Sequence, residues 1–219
     1  MVDFAQARRI MVDSQLRTFD VNDIPLLDAM NAVPRERFVA PGRESLAYMD
    51  QDIPVSNGPD RRYMLAPMIA ARMIQALGVE RGERALDVAC GLGYTSAVLV
   101  ELGADVVGLE ESADLAAAAR DRLADLGVGA TVVSGPLVQG HADGGPYDVI
   151  LVNGAVETRP DALLQQLRDG GRLVCIQGRG RSAKATLFVR AGDAFGQRAL
   201  FDAAAPLLAG FQAEPGFVF

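Results

Sequence analysis

From residue 67 onward the chain switches between two hydrophobic periods. Short apolar runs of strand length ("RALDVA", "DVVGLE", "ATVVS", "YDVILVN", "GRLVCIQG") are separated by stretches with helical spacing. In "PMIAARMIQAL" the residues Ile69, Met73, Ala76 and Leu77 fall on one helical face, and Gly78 ends the run. "YTSAVLVEL" is a second helix, closed by Gly103. "SADLAAAARDRLADLG" is the clearest: Ser112 caps it, Leu115, Ala119, Leu123 and Leu126 line one face, and Gly127 terminates it. "PDALLQQLR" reads as a fourth. Strands alternating with helices at this spacing predict a doubly wound, mainly parallel sheet covered on both faces. The rhythm changes in "ATLFVRAGDAFGQRALFDA", where two strand-like runs flank a short turn with no helix-length crossover. That predicts a C-terminal antiparallel hairpin at the sheet edge and brings the sheet to seven strands.

Ahead of the sheet, residues 3–18 and 22–32 read as helices, the second capped by Asn22 with Pro25 tolerated in its first turn. From Pro34 to Pro67 neither period is sustained and Pro, Gly, Asp, Asn and Arg are frequent. The embedded Phe38, Tyr48, Ile53 and Tyr63 predict an ordered, packed loop rather than a disordered one. The division this suggests is an N-terminal helical extension and substrate-side loop over residues 1–66, packed on a core over 67–219 as one compact domain.

Composition narrows the function classes. No apolar run in the 219 residues reaches the roughly 18 that a membrane span needs, and the charged N-terminus lacks the apolar stretch of an export signal. A cytoplasmic protein without membrane association is the expectation. The net charge of −7 argues against nucleic acid as a partner. Residues 1–84 carry 11 basic and 12 acidic groups and residues 85–219 carry 10 and 16, so neither half forms a basic arm. Two distant cysteines, Cys90 and Cys175, and the single histidine, His141, give no metal-ligand spacing. Cys90 also lacks a visible activating base, which makes it a poor nucleophile.

The candidate chemistry lies in "LDVACGLGY". It sits at the first strand-to-helix turn, where open parallel sheets bind ligands, and its glycines let a ligand approach backbone amides. The next strand ends in Glu110, 17 residues after Gly93, where a carboxylate can accept both hydrogens of a ribose diol. The dinucleotide pattern G-x-G-x-x-G fits only in part, because Ser96 stands at the third glycine. The D-x-G-x-G-x-G loop of class I S-adenosylmethionine-dependent methyltransferases is met at Asp87, Gly91 and Gly93 and departs at Ala89. The pair of features favours a nucleoside cofactor, S-adenosylmethionine first.

From about Arg9 to Gly178 the chain resembles the protein-L-isoaspartate O-methyltransferases. The resemblance is carried by "AMNAVPRERFV", "AYMDQDIPV", the glycine-turn segment, "VVGLE" and "PYDVILVNGAVETRPDALLQQLRDGGRLVCIQG". It implies a Rossmann-like α/β fold and methyl transfer from S-adenosyl-L-methionine to an isoaspartyl carboxylate of a damaged protein, leaving S-adenosyl-L-homocysteine. By the same resemblance, the cofactor-binding candidates are Asp87, Ala89, Cys90, Gly91, Leu92, Gly93, Tyr94, Glu110, Glu111, Gly135 and Pro136. Gly91, Gly93 and Tyr94 would serve the methionine end and ribose, Glu110 the ribose hydroxyls, and Gly135 the adenine. The loop over 56–65 would cover the substrate.

Three departures mark a divergent member. The family carries a stretch like "GQTIS" before its Gln-Pro; aligning on Pro67 sets Arg62, Tyr63, Met64, Leu65 and Ala66 there, with Leu65 at the serine. Leucine cannot donate to a carboxylate, so no catalytic residue is assigned, and Arg61, Arg62 and Tyr63 are candidate replacements. Where the family reads Gly-Asp-Gly, this chain has Gly135, Pro136 and Leu137, which removes the acid beside adenine. Ala89 is the third. Asn153 and Glu157 are further residues that could face the pocket. Two alternatives stay open: the same fold acting on another acceptor, such as a small carboxylate or phenol, or a binding or regulatory module with a degenerate site. A monomer or weak dimer is expected.

Overall fold

The computed structural model describes residues 2–57 and 61–213. The first helix, α1 (Phe4–Met11), is capped by Asp3, whose carboxylate accepts from the Gln6 amide at 3.0 Å. It widens into a π-helical turn over Val12–Leu16 and tightens into a 3-10 turn over Arg17–Phe19. The single helix expected over 3–18 is therefore three segments. The hydroxyls of Ser14 and Thr18 bond back to the carbonyls of Ile10 and Ser14, a competition with the helix ladder that bends such segments. Helix α2 (Ile24–Ala32) is capped by Asp23 and not by Asn22. The Asp23 carboxylate accepts from the Leu26 amide, whereas the Asn22 amide is held by the Gln75 side chain at 2.8 Å. Pro25 sits in the first turn, as expected.

Residues 34–66 are ordered by packing. 3-10 turns cover Arg35–Phe38 and Glu44–Leu46, and two short antiparallel strands pair, β1 (Ile53–Pro54) and β2 (Tyr63–Met64). Phe38, Tyr48 and Ile53 are buried. This ladder had no signal in the sequence, since two-residue strands are too short to show a period. Helix α3 (Pro67–Leu77) follows and ends at Gly78, whose φ of +55° suits a residue without a side chain.

The main sheet contains β3 (Arg84–Val88), β4 (Asp105–Glu110), β5 (Thr131–Ser134), β6 (Tyr147–Val156), β7 (Leu167–Gln177), β8 (Lys184–Ala191) and β9 (Ala194–Asp202). Helices α4 (Tyr94–Glu101), α5 (Ala113–Asp125) and α6 (Asp161–Leu164) lie between them. The seven strands run in the order β5-β4-β3-β6-β7-β8-β9. The first five are parallel, and β8 and β9 are antiparallel, which is the doubly wound sheet with a terminal hairpin. The helix expected in "PDALLQQLR" shrinks to the single turn of α6. The Gln166 carbonyl accepts from the Tyr147 amide at 2.8 Å and Leu167 pairs with Tyr147, so the sheet captures the leucine that the helix pattern had claimed.

Both faces of the sheet are covered. Leu86, Val88, Ile150 and Leu173 pack with Leu163 and Leu164 on one side; Ala85, Val149, Leu151 and Val174 pack on the other with Ile74, Leu99, Leu27 and Met11. Helices from the N-terminal segment thus share a core with α3 and α4. At the end of the sheet where β3 begins, Arg172 ties the layers together. Its guanidinium donates to the carbonyls of Leu77 and Gly78 at the C-terminus of α3 and to both oxygens of Glu83, at 2.9 and 2.8 Å. A cation there complements the helix dipole.

Candidate active site

At the opposite end, β3 runs into the glycine turn. Asp87, the last acidic residue of β3, is fully buried. Its carboxylate accepts from Thr95 Oγ1 at 2.7 and 2.9 Å, from Ser96 Oγ, and from Asn153 Nδ2 at 2.6 Å. Asn153 also donates to the Val88 carbonyl. Burial outweighs these donors, and with the charge of Glu110 it pushes Asp87 up to about 6. Asp87 therefore fastens the turn to α4 and β6 from below.

The turn reverses through three left-handed residues: Ala89 at φ +57°, Gly91 at +58° and Gly93 at +95°. For the two glycines this follows from their lack of a side chain. A Cβ on Gly91 would lie 3.3 Å from Val55, and one on Gly93 would lie 3.1 Å from Leu123. Ala89 holds the same conformation with a methyl group, which costs about 1–2 kcal/mol. Cys90 lies buried between Asp87 and Glu110; burial, reinforced by those two charges, pushes its thiol well above the ordinary value. A thiol so held is not a nucleophile.

Glu110 ends β4 with no exposed surface. Its Oε1 accepts from the amides of Glu111 at 2.8 Å and Ser112 at 3.3 Å, and its Oε2 from the Gly91 amide at 3.1 Å. The side chain of Arg62 reaches the same carboxylate, with Nε 3.0 Å from Oε1. Glu111 beside it is half exposed and lies 3.5 Å from Arg62 Nη2.

A narrow cleft opens beside the turn, with a free volume of about 20 Å³, roughly room for one water and far below the about 300–1,000 Å³ of pockets that enclose a ligand. Ala89, Cys90, Gly91, Leu92, Tyr94 and Asn153 line its floor. Phe38, Val55, Tyr63 and Leu65 close the other side. Leu65 is held by its backbone, since its carbonyl accepts from Arg35, a fully buried residue whose Nε also donates to the Ala47 carbonyl at 2.7 Å. The next amide, Ala66, is held at 2.8 Å by Asp52, whose carboxyl burial pushes up. Sequence reasoning singled out neither Arg35 nor Asp52. Neither stands out in the sequence, because Arg35 is followed by Glu36 and Arg37 and Asp52 is preceded by Asp50 and Gln51.

Gly135 follows β5 with its amide on the Glu110 carbonyl at 3.1 Å, and Pro136 beyond it is exposed. Of the two residues left open after β6, Asn153 lines the cleft. Glu157 turns away and accepts from the Ala213 amide at 3.0 Å. Arg61 is exposed, and of the 56–65 loop, residues 58–60 lie outside the described residues.

A carboxylate and a glycine turn at adjacent strand ends, roofed by a hairpin, are what a nucleoside-dependent enzyme requires. The model of one family, protein-L-isoaspartate(D-aspartate) O-methyltransferase, matches residues 8–201. A protein-L-isoaspartate O-methyltransferase of Methylorubrum extorquens is 42% identical over 172 residues, which is 78% of this chain and 74% of that one. One from Koribacter versatilis is 40% identical over 175 residues, 80% of this chain and 78% of the other. The chain belongs to the protein-L-isoaspartate(D-aspartate) O-methyltransferase family. It is an S-adenosylmethionine-dependent methyltransferase. The fold agrees. A solved protein-L-isoaspartate O-methyltransferase superposes with a TM-score of 0.81 at 24% identity, covering 94% of this chain and 65% of that longer one. A Plasmodium falciparum protein of the same type, solved with S-adenosyl-L-homocysteine, gives 0.77 at 18% identity, covering 95% and 99%.

The residues present fit this cofactor at its nucleoside end. Gly91 lines the cleft, and Glu110 stands at the strand end with Oε2 bonded to one amide only among the described residues. Among the described residues no helix is long and apolar enough to cross a membrane.

Proposed function

We propose that this methyltransferase esterifies a carboxylate on a protein or peptide, with the isoaspartyl side chain as its first substrate. The observation that carries the reading is the cleft itself: an apolar pocket between the glycine turn and residues 63–65, with no charged side chain in its lining among the described residues. A carboxylate entering it leaves water, and desolvation makes an anion a stronger nucleophile. Bound S-adenosylmethionine supplies a methyl group on a sulfonium, an electrophile that a carboxylate can accept with no base to remove a proton. The chain's part is then positioning, which is worth up to roughly 7–11 kcal/mol of barrier. In this reading the Gly91 and Gly93 backbone holds the methionine end and ribose beside Tyr94, Glu110 accepts the ribose hydroxyls, and Gly135 borders the adenine. Residues 1–66 form the substrate side and 67–219 the cofactor side of one unit.

Leu65 favours a second reading within the same chemistry. Its buried isobutyl group offers no donor to an incoming carboxylate, and its carbonyl is already bonded to Arg35. An acceptor carrying its own apolar group, a small carboxylic acid or a phenol, would suit that wall better. The deciding experiment incubates the protein with methyl-labelled S-adenosylmethionine and an isoaspartyl peptide, the matching aspartyl peptide and a panel of aryl and alkyl carboxylic acids and phenols. Base-labile methyl ester on the isoaspartyl peptide alone supports the first reading. Label in the panel but not in the peptide moves the enzyme to the second, and label nowhere, with binding absent in calorimetry, leaves a degenerate binding module.

A further inference from the structure

The carboxylate that this reading gives to the ribose is already crowded on one of its two oxygens. A carboxylate offers about four lone-pair positions. Glu110 receives four donors among the described residues: the amides of Gly91, Glu111 and Ser112, and Arg62 Nε at 3.0 Å. Three of these are on Oε1 and one on Oε2, so Oε2 can take one ribose hydroxyl and the second needs a donor to leave. Three of the four belong to the backbone of the turns that define the site and cannot move without unmaking it. Arg62 is the donor carried by a side chain.

The backbone of Arg62 is anchored independently of that side chain. It is fixed in the small ladder, with its amide on Ser56 Oγ at 2.8 Å and its carbonyl accepting from the Val55 amide at 2.9 Å. A second carboxylate waits one residue beyond the first. Arg62 Nη2 lies 3.5 Å from Glu111 Oε2, on a side chain 45% exposed where that of Glu110 is wholly buried. The two adjacent acids are thus unlike: one buried and facing the turn, the other at the solvent edge and already within reach of the guanidinium.

We propose that Arg62 is a built-in competitor for the cofactor's ribose, held on Glu110 until the diol displaces it and then transferred to Glu111. The inference rests on Glu110 as the ribose carboxylate. Arg62 becomes a specificity residue, because a nucleoside must bring two hydroxyl donors to replace a charged one. The buried acid is never left without a donor at any stage, which would be costly in such an environment. Departure of Arg62 also removes a charge beside Tyr63 and the segment that leads to Leu65, so cofactor and acceptor binding become coupled.

The test is calorimetric titration of S-adenosylhomocysteine into the wild type, Arg62→Met, Glu111→Gln and the double variant. Arg62→Met keeps the aliphatic stem and removes the competitor, so affinity should rise by about tenfold, the scale of one charge-assisted hydrogen bond no longer broken. Glu111→Gln should weaken binding several-fold, because Arg62 loses its second partner, and should have no effect in the Arg62→Met background. Unchanged or weaker binding by Arg62→Met overturns the proposal, as does an equal effect of Glu111→Gln in both backgrounds, which would mean that Glu111 touches the ligand directly. Failure of the wild type and every variant to bind overturns the cofactor reading itself. Thermal melts guard against misfolding: Arg62→Met should melt lower than wild type without ligand yet gain more from it. Should that variant not fold, Arg62→Lys, which keeps the charge but loses the Nε geometry, should bind more tightly than wild type, and equal or weaker binding counts against the proposal.

Discussion

Asp87 gives the site a measurable pH signature. The carboxyl is fully buried, accepts from Thr95, Ser96 and Asn153, and sits near 6 rather than at its ordinary 3.8. Below 3.8 the group is protonated in the folded and unfolded chain alike; between 3.8 and about 6 the folded chain keeps the proton that the unfolded chain releases. The folded state thus binds more protons in that window, and stability falls as pH rises through it. About two pKa units at 1.36 kcal/mol each give a loss of about 3 kcal/mol, with a slope approaching 1.4 kcal/mol per pH unit. Asp87→Asn isolates the effect because it keeps shape and carries no charge. Its oxygen can still accept from Asn153, and its amide can donate to Ser96 once that hydroxyl turns. Urea denaturation of both proteins at pH 4, 5, 6 and 7 should show the wild type losing about 2.4 kcal/mol relative to the variant from the acid to the neutral end, the remainder of the loss falling below pH 4. Parallel curves would refute the reasoning: the three hydrogen bonds would then offset burial completely.

Other expectations follow from single contacts. Leu65→Ser restores a hydroxyl at the cleft wall and should raise methyl ester formation on an isoaspartyl peptide by about tenfold, measured as kcat/KM; no gain would mean that the wall is not where the carboxylate lies. Pro136→Asp supplies an acceptor after β5 and should tighten S-adenosylhomocysteine by about 1 kcal/mol in calorimetry if that turn borders adenine. Gly93→Ala forces a Cβ into φ +95° and to 3.1 Å from Leu123, so denaturant unfolding should show a loss of about 2 kcal/mol or more.

The sheet was legible in the sequence because its central strands β3, β4 and β6 are buried on both faces and the helices α3, α4 and α5 end near glycines. Uninterrupted apolar runs and residues such as Gly78 and Gly103 mark such boundaries without any knowledge of the fold. Asp23 and Asn22 show where local reading stops: both are good caps, the Asp23 carboxylate takes the Leu26 amide, and the distant Gln75 side chain holds the backbone amides of both. Leu167 shows the same for register, because its place in the ladder depends on Tyr147. In the site, the glycine turn and Glu110 stood out by spacing along two consecutive strand-to-helix units. The pairing of Arg62 with Glu110 joins residues 48 apart through a ladder of two-residue strands, and no periodicity encodes it. Glu157 looked as eligible as Asn153 until the segment carrying Ala213 took its carboxylate.

The Arg172 clamp has a consequence for how this enzyme can be altered. It joins the end of α3, the loop before β3 and the start of β7's pairing through carbonyls and a carboxylate, and Arg168 adds an ion pair to Asp148 nearby. All of this lies at the sheet end remote from Ala89, Leu65 and Pro136. Part of the anchorage is therefore borne by the rim opposite the chemistry. Exchanges of the Leu65 or Pro136 side chains leave the Arg172 clamp untouched, whereas Asp87 and Arg35 anchor the cleft rim itself and set the limit on what can be changed there.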